Sequence, residues 1–341
     1  MEAALMPTPL TSGTANFTLN ATGIVTAAFS LIGYLAAEQP LQAFAIQDGL
    51  NWLNILLKAW QKDNIHLWTQ REGVIFLNYA QDVYALGPFG DNATVLESFR
   101  QTTLSANAAQ GATVLQVYST IGFVVGDQIG IQITNSLRQW TTIATVNSLT
   151  QVTITAPLVA MAIAGNTVFD YTQQIDRPLK VTSSRRNSFP FYNNSNNSTN
   201  EIPMEMWSRQ QYFDQVNKGQ PGTPVNWYYS PLQGENAYSA PTGDGLFYIW
   251  QAPSSVNDFL RITYTRSIQD VDDGNNNLDF PTEWNLAIIY SLALLLGIPY
   301  SAPIEKIQMI APLAKDFLED CKGWDQEITS LNVQPMFRGR S

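Results

Sequence analysis

Cysteine and histidine are nearly missing from this chain: its 341 residues contain one of each, Cys321 and His66. One thiol cannot form an intrachain disulfide, and one Cys with one His cannot assemble a zinc site. A Ser-His-Asp triad would have to use His66. That residue stands in Asn64-Ile65-His66-Leu67-Trp68, at the exit of an expected helix, where a half-buried polar side chain is the simpler reading. Charge is also scarce. Asp, Glu, Lys and Arg make up 13% of the chain, about half of the ~25% usual in globular domains. Asn, Gln, Ser and Thr must cover the surface, or other proteins must. The charge present is acidic, 28 Asp+Glu against 18 Lys+Arg, which argues against recognition of nucleic-acid sequence by phosphate neutralisation. The longest apolar stretch, Leu286–Leu296, is interrupted by Ser291 and falls short of the ~20 residues of a membrane span. Met1–Gly13 lacks the basic start and apolar run of a secretion signal, so synthesis in a cytoplasm is expected. No glycine-rich phosphate loop, HExxH or GxSxG occurs.

Apolar residues are abundant, at 45%, with nine Trp, 14 Tyr and 16 Phe. A chain of this length and content divides most naturally into two units. Ile24, Ala27, Ala28, Leu31, Ile32 and Leu35 recur at helical spacing, with Asn20 or Thr22 as cap. A second helix is expected from Pro40, its seam formed by Ala43, Ile46, Leu50, Leu53, Leu57 and Trp60. Val74–Leu77 and Val83–Leu86 read as a hairpin turning near Gln81-Asp82. Residues 91–170 then lose helical periodicity. Short strands are expected at Thr113–Tyr118, Gln128–Ile133, Gln139–Val146, Val152–Thr155 and Thr167–Tyr171, making a small barrel or sandwich. Beyond 171, a short strand is expected at Leu179–Val181, a mobile Asn/Ser-rich loop at Asn187–Asn200 and a short helix at Met204–Val216. Strands follow at Val225–Tyr229, Leu246–Trp250 and Phe259–Arg266, then an apolar helix from Pro281 to Leu296. A last helix runs from Pro303 to about Trp324, kinked or broken at Pro312. The expected fold is α+β: a helical core from 1–90 and 171–341 with short β elements, and a small all-β domain inserted at 91–170.

The most site-like segment is the acidic run containing Asp270, Asp272, Asp273 and Asp279. Calcium is a poor fit, because Gly274 is fifth rather than sixth from Asp270 and no Glu closes the loop. A solvated acidic loop available as an interface fits better. Glu201, Glu205, Glu235 and Asp244 offer no spacing that singles out a glycosidase pair. Trp227-Tyr228-Tyr229 and Tyr248-Ile249-Trp250 are candidates for a sugar-stacking platform, although aromatics at strand spacing more often form core or interface. At the C-terminus, Leu331, Val333, Met336 and Phe337 with Arg338 and Arg340 make an apolar tail with a basic tip. Such a tail suits docking on a portal or a neighbouring subunit.

Taken in order, several segments resemble the head-to-tail adaptors of tailed bacteriophages, also called tail accessory factors or packaged-DNA-stabilisation proteins. In the first part these are Thr22–Leu35, Leu53-Asn54, Trp60, Ile65–Trp68, Phe76-Leu77 and Tyr84–Gly87. In the second they are Arg209–Phe213, Pro231, Tyr248–Pro253, Leu260–Arg266, Asp270–Asp273 and Asp279–Trp284 with the helix after it. Gly111-Ala112-Thr113, Gly126-Asp127 and Gln139–Thr142 mark the insert as similar to a β domain of longer members. Pro312, the Asn/Ser loop and Met336–Ser341 depart from the pattern. The resemblance implies a virion neck or tail protein, made in the host bacterium and forming a ring of twelve copies below the portal protein. Such a ring extends or seals the DNA channel, retains packaged DNA without sequence-specific contact, and presents a platform for tail tube, nozzle or fibre proteins. It implies no enzyme activity, cofactor or membrane. The alternatives are a tail-associated carbohydrate-binding or fibre module with 91–170 as its binding unit, and a cell-wall hydrolase.

Overall fold

The computed structural model describes residues 17–35, 39–61, 67–188, 200–231 and 243–325. Contacts divide the chain into two compact units, Met1–Trp68 with Ile268–Ser341, and Thr69–Ser267.

The first unit is helical. Helix α1 (Ala21–Ile32) starts where the Asn20 side chain accepts from the Gly23 amide at 2.9 Å, and stops at Gly33 in the left-handed conformation. Helix α2 spans Ala43–Gln61 and buries Leu50, Leu53, Leu57 and Trp60, four of the six residues of its expected seam. In the second unit, α3 is one short turn, Arg209–Phe213, closed by a capping box between Ser208 and Gln211. Helices α4 (Asn285–Gly297) and α5 (Ile304–Trp324) return to the first unit. There α1, α2, α4 and α5 share one core that includes Phe29, Leu53, Trp284 and Leu292. Pro312 neither breaks α5 nor divides it. It lies on the exposed side of the helix, where a lost hydrogen bond to the preceding turn is met by water.

The second unit is built of strands. In chain order they are β1 (Gln70–Phe76), β2 (Val83–Leu86), β3 (Ala93–Val95), β4 (Phe99–Thr103), β5 (Val114–Gln116) and β6 (Gln128–Thr134). Next come β7 (Leu137–Ser148), β8 (Gln151–Ile154), β9 (Thr167–Tyr171), β10 (Lys180–Ser188), β11 (Asn200–Pro203) and β12 (Glu205–Met206). The last are β13 (Pro221–Gly222), β14 (Asn226–Ser230), β15 (Gly245–Trp250), β16 (Ala252–Pro253) and β17 (Phe259–Thr265). One sheet has the order β11-β10-β17-β1-β3 and another β12-β14-β15-β2, while β13 and β16 form a small pair. Residues 99–171 make a six-stranded sheet of their own, β4-β9-β6-β7-β8-β5. Its two edges approach through a Leu104–Val117 bridge, with Ser105 N donating to Gln116 O and Tyr118 N to Thr103 O. The curled sheet surrounds Leu115, Ile129, Ile131, Val152 and Val168.

This architecture overturns the expected helical core with short β elements. Strands hold 33% of the described residues against 28% in helices, and 69–90 and 171–267 supply long strands where short β elements were expected. The reason is visible in β10, whose Lys-Val-Thr-Ser-Ser-Arg-Arg-Asn-Ser sequence has little apolar character. It is held by the neighbouring β17 and by cross-strand charge pairs between Arg185 and both Glu72 and Glu201. The expected hairpin is also absent. β1 pairs with β17 and β3, whereas β2 pairs with β15 in a different sheet. The helix expected over Met204–Val216 contracts to α3, because Glu205-Met206 pairs in parallel with Asn226-Trp227.

Candidate functional site

The acidic run forms a strap across the helical unit. Lys58 Nζ donates to Ile268 O at 2.7 Å and pairs with Asp270 Oδ1 at 2.7 Å. One residue on, Asn54 exchanges two hydrogen bonds with the backbone of Val271, each of 2.9 Å. The strap then meets the start of α1. Gly274 O accepts from both the amide and the hydroxyl of Thr22, and Asn276 O accepts from Ala21 N. These carbonyls satisfy amides that a helix N-terminus leaves without intrahelical partners. A Cβ on Gly274 would stand 2.3 Å from Thr22 Oγ1, so the approach requires glycine.

The four aspartates do not converge. Asp270 faces Lys58, Asp273 Oδ1 accepts from Asn275 N in its own turn, and Asp279 Oδ2 accepts from Gln269 N. Asp272 is exposed. Among the described residues no group of three His, Cys, Asp or Glu is placed to hold a metal. The strap ends in an aromatic cluster. Trp68 lies 5.1 Å from Phe280 and 5.2 Å from Trp284, and Trp60 lies 5.9 Å from Trp284, all between ring centroids.

Helix α5 carries apolar residues on two faces. Ile310, Ala314, Leu318 and Cys321 turn toward the core. Met309 and Leu313, one turn apart, and Trp324, three turns further, lie on the outer side and are exposed. Ile298 and Ile304 add to the exposed apolar surface between α4 and α5.

In the second unit the expected stacking platform is split by strand alternation. Trp227 and Phe247 stack at 5.5 Å in one buried core. Tyr228 and Tyr248 face the other way, packed with Tyr212 of α3. Of the proposed carboxylates, Glu205 accepts from Asn226 Nδ2 at 2.9 Å. For Glu201, partial burial disfavours the ionised form, yet hydrogen bonds from Asn187 and Arg261 and the charges of Arg261 and Arg185 outweigh it. Its carboxyl is held below the usual range, opposite to what a proton-donating glycosidase acid requires. Asp244 is buried.

Three buried charges in the curled sheet went unread in the sequence. Asp170 is fully buried, and its pKa is pushed up to about 8, first by burial and then by Asp127 beside it. Asp127 Oδ2 accepts from Val124 N at 2.7 Å. Burial pushes Arg138 down to about 9, and its guanidinium lies 4.0 Å from the Phe169 ring centroid. The available signal was their isolation, since 91–170 holds only six charges. His66, Glu235, most of the Asn/Ser loop and the tail residues Leu331, Val333, Met336, Phe337, Arg338 and Arg340 lie outside the described residues. No family model and no curated protein matches the chain. Among the described residues, no helix is long and apolar enough to cross a membrane.

Proposed function

We propose that the chain is a structural subunit of a tailed-phage virion, the adaptor between head and tail. In this reading twelve copies form a ring below the portal protein in the virion neck. The ring extends or seals the DNA channel, retains the packaged genome by non-specific proximity, and seats tail tube, nozzle or fibre proteins. It catalyses no reaction and uses no cofactor.

One observation carries the reading. The segments that resemble the adaptor family come from opposite ends of the chain, and they pack on one another. Asn54 bonds Val271, and Trp60 and Trp68 enclose Phe280 and Trp284. Asn54 and Val271 stand 217 residues apart in the chain, and the packing is consistent with the two sets of segments belonging to one unit. The exposed apolar side of α5 and the outward Asp272 of the strap supply surfaces for neighbours, and the tail through Phe337 and Arg340 is a further docking element.

Replacing Met309 and Leu313 together by serine tests the assignment. Because both side chains are exposed, the variant should melt within about 1 kcal/mol of the parent yet fail to assemble on purified portal rings. Undiminished attachment would remove α5 from the interface.

A further inference from the structure

A cleft of about 260 Å³ opens in the second unit, lined by Gln132, Asn135, Ile163, Asn166, Thr167 and Asn257. That is just below the ~300–1,000 Å³ usual for small-molecule sites, room for a ligand of one ring. Among the described residues, no charged side chain lines it. The wall is a tight turn, Ile163 to Asn166, closed by Asn166 N donating to Ile163 O at 3.1 Å. Gly165 occupies it at φ +90°, and a Cβ there would meet nothing within 4 Å, so the rim stays open.

The polar groups are oriented from beneath. Arg138 Nη2 donates to Thr167 Oγ1 at 3.2 Å and to Val256 O, and the Thr167 hydroxyl donates to Gln132 Oε1 at 3.0 Å. The Thr167 amide takes the same oxygen at 3.1 Å. Gln132 therefore keeps Nε2 as its remaining donor. Asn166 commits its Nδ2 to Gln132 O and Ile133 O, which leaves Oδ1 as an acceptor. Asn135 and Asn257 also line the cleft, and neither side chain has a hydrogen-bond partner among the described residues. Asn257 Oδ1 is closed to solvent, so the amide nitrogen is the group of that side chain left to meet a ligand. A set of fixed amide donors and acceptors beside the apolar side chain of Ile163, without charge, matches a ligand whose hydroxyls both give and receive hydrogen bonds.

We propose that this cleft binds a neutral polyhydroxylated ligand, one sugar residue of a glycan. The proposal does not rest on the adaptor reading, since sugar binding and portal binding are measured separately.

Saturation-transfer NMR on the full chain tests it, with D-glucose, D-galactose, N-acetyl-D-glucosamine and D-glucuronate as probes. At least one neutral sugar should receive saturation, with millimolar affinity. Asn257→Ala and Asn135→Ala should weaken that binding roughly tenfold, or about 1.4 kcal/mol, without lowering the melting temperature, because neither side chain bonds within the described fold. No transfer to any neutral sugar would overturn the proposal. So would transfer that ignores both substitutions, or tighter binding of glucuronate, which would mark an anion site.

Discussion

Asp170 shows what a single buried group does to this fold. Its carboxyl titrates near 8 in the folded chain against an ordinary value near 3.8. Between those values the native state keeps a proton that the unfolded chain has released. Stability therefore falls as pH rises through that window, by up to ~1.4 kcal/mol per pH unit, and levels off above pH 8. Asp170→Asn preserves shape and removes the proton. Urea unfolding at several pH values should give a flatter profile for the variant, whose advantage over the parent grows toward pH 8. Parallel profiles would show that Asp170 is not the group responsible. The presence of six charges in 91–170 was legible in the sequence, but which of them are buried was not. All five residues of β9 are buried, and Asp170 sits beside Asp127, a neighbour 43 residues away in the chain whose turn is closed by Val124.

Elements were legible where their periodicity was local. The 3-and-4 spacing placed α1 and α2, a continuous apolar run after Pro281 placed α4, and stretches rich in Val, Ile and Thr between glycine turns placed five strands of the curled sheet. Pairing was not legible. Ile75 lies against Leu260 and Phe247 against Tyr84, partners more than 160 residues apart, while the nearby β1 and β2 were misread as a hairpin. Strand β10 was underestimated because its polar side chains are held by Glu72, Glu201 and Asp258, which local patterning does not contain. Helix α5 was recognised, but its continuity through Pro312 was not. Since the ring lies on the exposed side, Pro312→Ala should restore a hydrogen bond to Gln308 O and raise stability by about 1–3 kcal/mol. A fall in melting temperature would contradict this account of Pro312.

For the whole molecule, the division into units was the hardest feature to read. A cut at 90 and 171 isolates the curled sheet, but the contacts divide the chain at 68/69 and 267/268. The β strands outside 91–170 belong with that sheet's unit rather than with the helices. The acidic strap was recognised as a segment, yet its anchors Asn54, Lys58 and Thr22 lie more than 200 residues away. The amide cleft draws on separate stretches around Gln132, Asn166 and Asn257, and nothing in any one of them announces it. The central claim is that the chain assembles on a portal. Native mass spectrometry of purified portal rings mixed with the full chain measures it directly. The account predicts one added species whose mass increment equals twelve copies. An unchanged portal mass with the chain remaining monomeric would contradict it.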